Sequence, residues 1–183
     1  SAIGNATTAS GDYSTAMGYQ STASGWYSIA MGYQSTASGS YCTAMGYDTT
    51  TSANFSTAMG SFTTASGPSS TAMGYDTTAS EYYSTAMGMS TTASGNSSTA
   101  MGRITTAKGW YSTAMGYDTT ASDYASLVIG QYNSSGSSVT NNRHYFNTAN
   151  TAFVIGNGTA SNAKSDAFKV MFNGDTTISN DLT

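Results

Sequence analysis

The chain has 183 residues and a net charge of −4; only 8% of its residues are charged, with one Pro, one His and one Cys. No Lys or Arg precedes Arg103, so the cation clusters that displace phosphate counterions from nucleic acid are missing, and no apolar run reaches the eighteen residues of a spanning helix. Abundant Gly and Ser with little charge would suit a flexible linker, but 12% aromatics, ten Met and a strict periodicity point to an ordered repeat. The chain opens inside that pattern, without a signal peptide, as expected of a mature product or an excised fragment.

The first and longest element is the repeat itself. Gly stands at 4, 18, 32, 46, 60, 74, 88, 102, 116 and 130, an unbroken spacing of fourteen. A second Gly follows seven residues later at 11, 25, 39, 67, 95 and 109, replaced at 53, 81 and 123 by Ala, Glu and Asp. Fourteen residues are too few for a helix pair and suit one coil of a β-solenoid, two short strands each followed by a turn. Glycine would serve both turns through its access to positive φ. Thr and Tyr favour strands, and the helix formers Leu, Glu and Lys are scarce.

Within each coil the halves read T-A-M-G and T-A-S-G. Side chains alternate across a strand, so Ala takes one face and its neighbours the other. Ala is kept in both halves from Ala9 to Ala121, with Thr51 the one exception before Val128. A position that must be small in both halves belongs between two facing sheets, which predicts a narrow lumen lined with Ala. The alternative, Met inside and Ala outside, is the reading the structure must exclude. With Ala inside, Met17, Met31, Met45, Met59, Met73, Met87, Met101 and Met115 form an outward apolar stripe, joined by Ile29, Leu127 and Ile129. An Ala-lined roll buries little, whereas each Met is worth about 1.5–3 kcal/mol when fully buried. A stripe of this kind marks an association surface, and its economical partner is another copy in a closed cyclic oligomer. On the other half Thr22, Thr36, Thr50, Thr64, Thr78 and Thr92 stand beside a Ser row, a polar outer face.

These residues resemble a known family. "SAIG-NATTASG-DYSTAMG-YQSTASG" is similar to the head repeat of trimeric autotransporter adhesins, a fourteen-residue S-V-A-I-G-x-x-A-x-A-x-G pattern, over residues 1–130. The resemblance implies an all-β fold, a left-handed parallel β-roll assembled as a homotrimer, on a bacterial cell surface or in a virion tail fibre, with Met here where the family often has Ile. Residues 131–152 break the phase and are expected to be an insertion or capping loop, because the next V-I-G comes twenty-six residues after Gly130. Residues 153–183 read as a β segment with two strands around an Asn-Gly-Asp turn. That segment resembles those preceding endosialidase-type self-cleaving chaperones in tail and surface fibres, which implies a downstream region joined to it.

No catalytic constellation is visible, and the chain reads as non-enzymatic. His144 is the only His and has no Cys nearby; Asp48, Asp76 and Asp118 recur at one turn but are scattered singly, so neither a metal nor another cofactor is expected. Cys42 replaces the Ser or Thr of its repeat slot. The aromatic rows read first as stacked ladders; as ligand-binding surfaces for host glycan or surface protein, the candidates are Trp26, Trp110, Tyr82 and Tyr124. The Thr row offers a rival reading from another class, an ice-binding solenoid face.

Overall fold

The computed structural model describes residues 1–179. The chain is all-β and forms a parallel β-solenoid with fourteen-residue coils, its described residues falling in two compact units, 1–90 and 91–179; residues 180–183, the end of the expected C-terminal segment, lie outside the described residues. A coil is built from one five-residue strand such as Thr15–Tyr19, a two-residue turn, a two-residue strand such as Thr22–Ala23, and a five-residue turn. Long strands pair with long strands and short with short. In the first unit Thr43–Tyr47 pairs in parallel with Thr57–Ser61, and Thr57–Ser61 with Thr71–Tyr75, placing each Ala, Met and Gly beside its counterpart one coil away. The short strands keep the same register, Thr64 beside Thr50 and Thr78.

The lumen settles the choice between Ala and Met. Ala16, Ala23, Ala30, Ala37 and their successors to Ala121 have no exposed surface, and Thr51 sits in the same row, equally buried. Beside the Ala rows run two interior rows that the Ala periodicity did not reveal. Ser14, Ser28, Cys42, Ser56, Ser70 and Ser84 are buried just before each long strand; Ser21, Ser35, Thr49, Thr63 and Thr77 are buried just before each short one. The interior is therefore lined by small apolar and hydroxyl rows in alternation, not by Ala alone.

Several hydroxyls of the first of these rows turn back on the preceding carbonyl, whereas Ser14 Oγ and Ser70 Oγ are buried without a partner. Ser28 Oγ donates to Gly25 O at 2.7 Å, Ser56 Oγ to Ala53 O at 2.7 Å and Ser84 Oγ to Glu81 O at 2.6 Å. Cys42 fills its slot the same way, its thiol on the Gly39 carbonyl, and burial pushes that thiol up from its ordinary value. In the second row Ser21 and Ser35 reach the Gly32 and Gly46 carbonyls at 3.0 and 3.1 Å. Among the Thr of this row, Thr49 Oγ1 donates to Ser35 Oγ at 3.0 Å, while Thr63 and Thr77 Oγ1 are buried without a partner.

Glycine's role differs between the two turns, which corrects the expectation that both exploit positive φ. Gly74, at the end of a long strand, has φ 127°, and a Cβ there would lie 2.0 Å from the Gly88 carbonyl oxygen. Gly67, in the second turn, is not at positive φ; there the next coil approaches closely, and a Cβ on Gly67 would lie 2.1 Å from the Glu81 carbonyl oxygen. Residues other than glycine occupy the left-handed region in both turns: Gln20 at 52° and Gln34 at 54° in the first, Tyr27 at 52° and Tyr41 at 57° in the second.

The second unit continues the same coils through Thr113–Tyr117 and Leu127–Gln131, and then breaks phase. Thr151–Asn157 re-enters the long-strand sheet in parallel, Val128 beside Val154 and Gly130 beside Gly156. Register is thus restored across the longer connection. The chain then turns antiparallel: Asp166–Met171 pairs with Thr151–Asn157, and Thr176–Ile178 with Asp166–Met171. The hairpin between them turns at Asn173–Asp175, where Gly174 has φ 92° and Met171 N donates to Asp175 O at 2.8 Å.

Candidate functional site

A solenoid offers faces and edges in place of a cleft, and no pocket opens among the described residues. The long-strand face carries Thr and Met on either side of the buried Ala. Met17, Met31, Met45, Met73, Met87 and Met101 are half-buried, while Met59 and Met115 are 37% and 39% exposed. Ile29 and Leu127 replace Thr on this face and are exposed; Ile129 is half-buried and lies beside Ile155. The sequence-derived stripe residues therefore share one outward face in each unit.

The short-strand face is narrower. Thr22, Thr36, Thr50, Thr64 and Thr78 stand in register in the first unit, and Thr92 pairs with Thr106 in the second; all are half-buried. The strands are only two residues long, so the neighbouring Ser row lies in the turn and this face presents a single in-register file of Thr.

The aromatics occupy the edges, and there the two sequence readings coexist: the rows are stacked and also exposed. On the second-turn edge Tyr13, Tyr27, Tyr41 and Phe55 stack with centroids 4.7, 5.0 and 5.2 Å apart and planes within 10°. On the first-turn edge Tyr19, Tyr33 and Tyr47 stack at 5.0 and 4.9 Å. Stacking uses up the ring faces and leaves hydroxyls and ring edges to solvent. Trp26 is different. It is 60% exposed, and its neighbours at the same turn position in adjacent coils are Asp12 and Ser40, so no ring covers it from either side. Tyr82 is also exposed, tilted against Tyr83.

Trp110 and Tyr124 are placed otherwise, because the 131–152 segment folds over them. Trp110 N donates to Arg143 O at 2.8 Å and Tyr124 N to Asn142 O at 3.0 Å. The Trp110 ring packs on His144 and Tyr145, centroids 5.0 and 6.1 Å away, and Tyr124 meets Tyr111 edge-on. Trp110 is thus a clasp for the loop, with less free face than Trp26.

That loop is held by side chains that stand in for backbone. Along the short strands each Thr N–H donates to a carbonyl thirteen residues ahead, Thr92 to Thr105 and Thr106 to Thr119. At Thr120 the partner is instead the Asn133 side chain: Thr120 N donates to Asn133 Oδ1 at 2.8 Å, and Asn133 Nδ2 donates to Thr120 O at 2.9 Å. Asp123, fully buried, accepts from Thr140 N at 2.6 Å and Thr151 N at 2.8 Å. Asn150 pairs both ways with the Asn142 backbone, and Asp166 accepts from Ser134 N and Ser135 N at 2.8 and 2.7 Å. Sequence reasoning missed this set. Its one signal was Asp123, a charge in a glycine slot next to the phase break.

Among the described residues no cluster of His, Cys, Asp or Glu is placed to hold a metal ion, and no helix is long and apolar enough to cross a membrane. The coil geometry meets an independent finding at this point: the YadA head domain repeat matches residues 1–21, 23–41, 43–63, 65–91, 82–103 and 107–133. The chain belongs to the YadA head family. A search of the curated proteins found no match. Membership makes this a structural module of the trimeric adhesin class, a family of bacterial surface proteins, and the matched span ends within the segment where the coil phase breaks.

Proposed function

We propose that this chain is the rigid section of an extracellular attachment fibre in which three copies associate through their long-strand faces. One observation carries the reading: with every inward row filled by small residues, the Met row is the apolar row still half-open to solvent on a single chain. Closing it against two copies would bury what the lumen cannot. Sedimentation should give a trimer; a stable folded monomer would overturn the assembly. Met59→Asp or Met73→Asp should dissociate it, while Ser66→Asp and Ser80→Asp should leave it intact. Equal effects on both faces would show that the wrong face has been chosen. A bacterial cell surface and a virion tail fibre both suit such a fibre.

For attachment, Trp26 is the favoured contact, because an open indole face takes the apolar face of a sugar or an apolar side chain of a surface protein. No Lys or Arg stands in residues 1–102, and Asp12 adjoins Trp26 by sequence register, so a neutral glycan fits better than an anionic one. Glycan-array binding lost in Trp26→Ala and kept in Trp110→Ala would support this; binding unchanged in Trp26→Ala would refute it without touching the trimer. The in-register Thr22–Thr78 file favours a second reading, ice binding, which thermal hysteresis tests directly: none at high protein concentration ends it.

A further inference from the structure

We propose that the stacked tyrosines of the first unit are a site of oxidative cross-linking, at which a peroxide-dependent peroxidase joins successive coils through dityrosine bonds. The geometry comes in two rows. Tyr13, Tyr27 and Tyr41 stack at 4.7 and 5.0 Å with planes within 10°; Tyr19, Tyr33 and Tyr47 stack at 5.0 and 4.9 Å with planes within 13°. Each ring comes from a different coil, and the backbone fixes the spacing. Tyr27 N donates to Asp12 O at 2.9 Å, Tyr41 N to Trp26 O at 2.7 Å, and Tyr19, Tyr33 and Tyr47 are direct strand neighbours. All six rings are exposed, Tyr13 by 79%, so an external oxidant reaches them.

The chemistry closes without any group from the protein beyond the two phenols. Each tyrosine of a pair gives up one electron and one proton, leaving a phenoxyl radical with spin on the ring carbons ortho to oxygen. The two radicals couple through one C–C bond between Cε atoms. Each coupled carbon then loses its hydrogen, and the phenol oxygen of the same ring regains one, which restores both aromatic rings. One hydrogen peroxide takes up the two electrons and two protons and becomes two waters. Spin density lies in lobes normal to the ring, so parallel rings aim these lobes at one another and edge-on rings do not. Holding the pair in that arrangement replaces a diffusional encounter by a local one.

The same molecule supplies its own controls. Tyr117 and Tyr132 lie 5.1 Å apart but at 89°, and Tyr111 and Tyr124 lie 5.3 Å apart at 72°. Phe55 closes the first row and Phe62 stands edge-on beyond Tyr47. Neither carries a phenol, so each row of joinable rings stops there.

The test treats the full chain with a haem peroxidase and limiting hydrogen peroxide, then reads dityrosine fluorescence and maps cross-linked peptides by mass, each bond marked by the loss of two hydrogens. The expected products are intrachain links 13–27, 27–41, 19–33 and 33–47. Tyr27→Phe, which keeps the ring and removes the phenol, should abolish both links of the first row and spare the second. Tyr33→Phe should do the converse. Links mapping mainly to 111–124 or 117–132, covalent chain-to-chain products as the main species, or undiminished fluorescence in a variant carrying both Tyr27→Phe and Tyr33→Phe would each overturn the proposal.

Discussion

Residues 1–90 and residues 91–179 solve different problems with the same coil. In the first stretch every strand hydrogen-bonds to a copy of itself, every lumen row repeats, and the same few residue types recur in every coil. In the second the chain must leave the pattern, and residues that occur nowhere else in those roles appear: Asn133 pairs with Thr120 N and O, Asp123 takes the Thr140 and Thr151 N–H groups, and Asn150 and Asp166 take others. Repetition satisfies each backbone group by adding a coil, whereas stopping leaves N–H and C=O groups that would be costly to bury unpaired. Side-chain amides and carboxylates, carrying the same donors and acceptors as peptides, meet that need. Propagation is encoded by period, and termination by individual residues.

Substitutions can break this contrast at either side. The largest effect is expected from Gly74→Ala, which places a Cβ against the Gly88 carbonyl at a φ of 127°; a loss on the order of 4 kcal/mol or more in thermal unfolding is expected. Gly67→Ala should cost far less, about 1–2 kcal/mol, because Ala53, Glu81 and Asp123 already occupy its row. If both glycines respond equally, the two turns do not differ as described. Next comes Asp123→Ala, which strips two backbone donors of a charged acceptor and should cost about 3–5 kcal/mol. Amide hydrogen exchange at Thr140 and Thr151 should quicken with it, while coils in residues 1–90 keep their protection. Asn133→Ala should cost somewhat less, about 2–3 kcal/mol, with the loss centred on the Thr120 amide.

Inside the regular coils the expected changes are small, and one has the opposite sign. Thr77 Oγ1 is buried without a partner, so Thr77→Val should lie between neutral and about 1–2 kcal/mol stabilising. Cys42→Ser should stay within about 0.5 kcal/mol, since Ser makes the same bond in neighbouring coils. The Cys42 thiol is buried and pushed up in pKa, so alkylation should be slow in the folded protein and fast once it unfolds. All comparisons belong at one protein concentration, because association alters apparent stability.

The coil was legible because it repeats. Unbroken Gly spacing, Ala in both halves and Met confined to one gave the fold, the lumen and the outward faces. The two interior hydroxyl rows were hidden because Ser and Thr also fill exposed positions, so composition could not tell Ser28, inside, from Ser24, outside. The left-handed turn positions were hidden for a different reason: Tyr27 and Gln34 are residues from which no positive φ would be read. The cap was illegible because it is not periodic. Nothing in a single Asn announces that its amide will face the Thr120 peptide, a pairing made by tertiary placement alone.

The longer connection between Gly130 and Gly156 has a consequence for how such chains diversify. Twelve extra residues enter after Gln131, where the short strand and second turn of a regular coil would stand, and the next long strand still meets its neighbour residue for residue. That edge behaves as a port: a whole segment is accommodated there while the long-strand register is kept, although the short-strand sheet ends at Thr120–Ala121. The first-turn edge, with two residues between strands, leaves no such room. New loops, and with them new specificities, are therefore expected to accumulate along one edge of the coils, and a designer grafting a binding peptide should choose the Ser24–Ser28 turn of a coil over Gln20–Ser21.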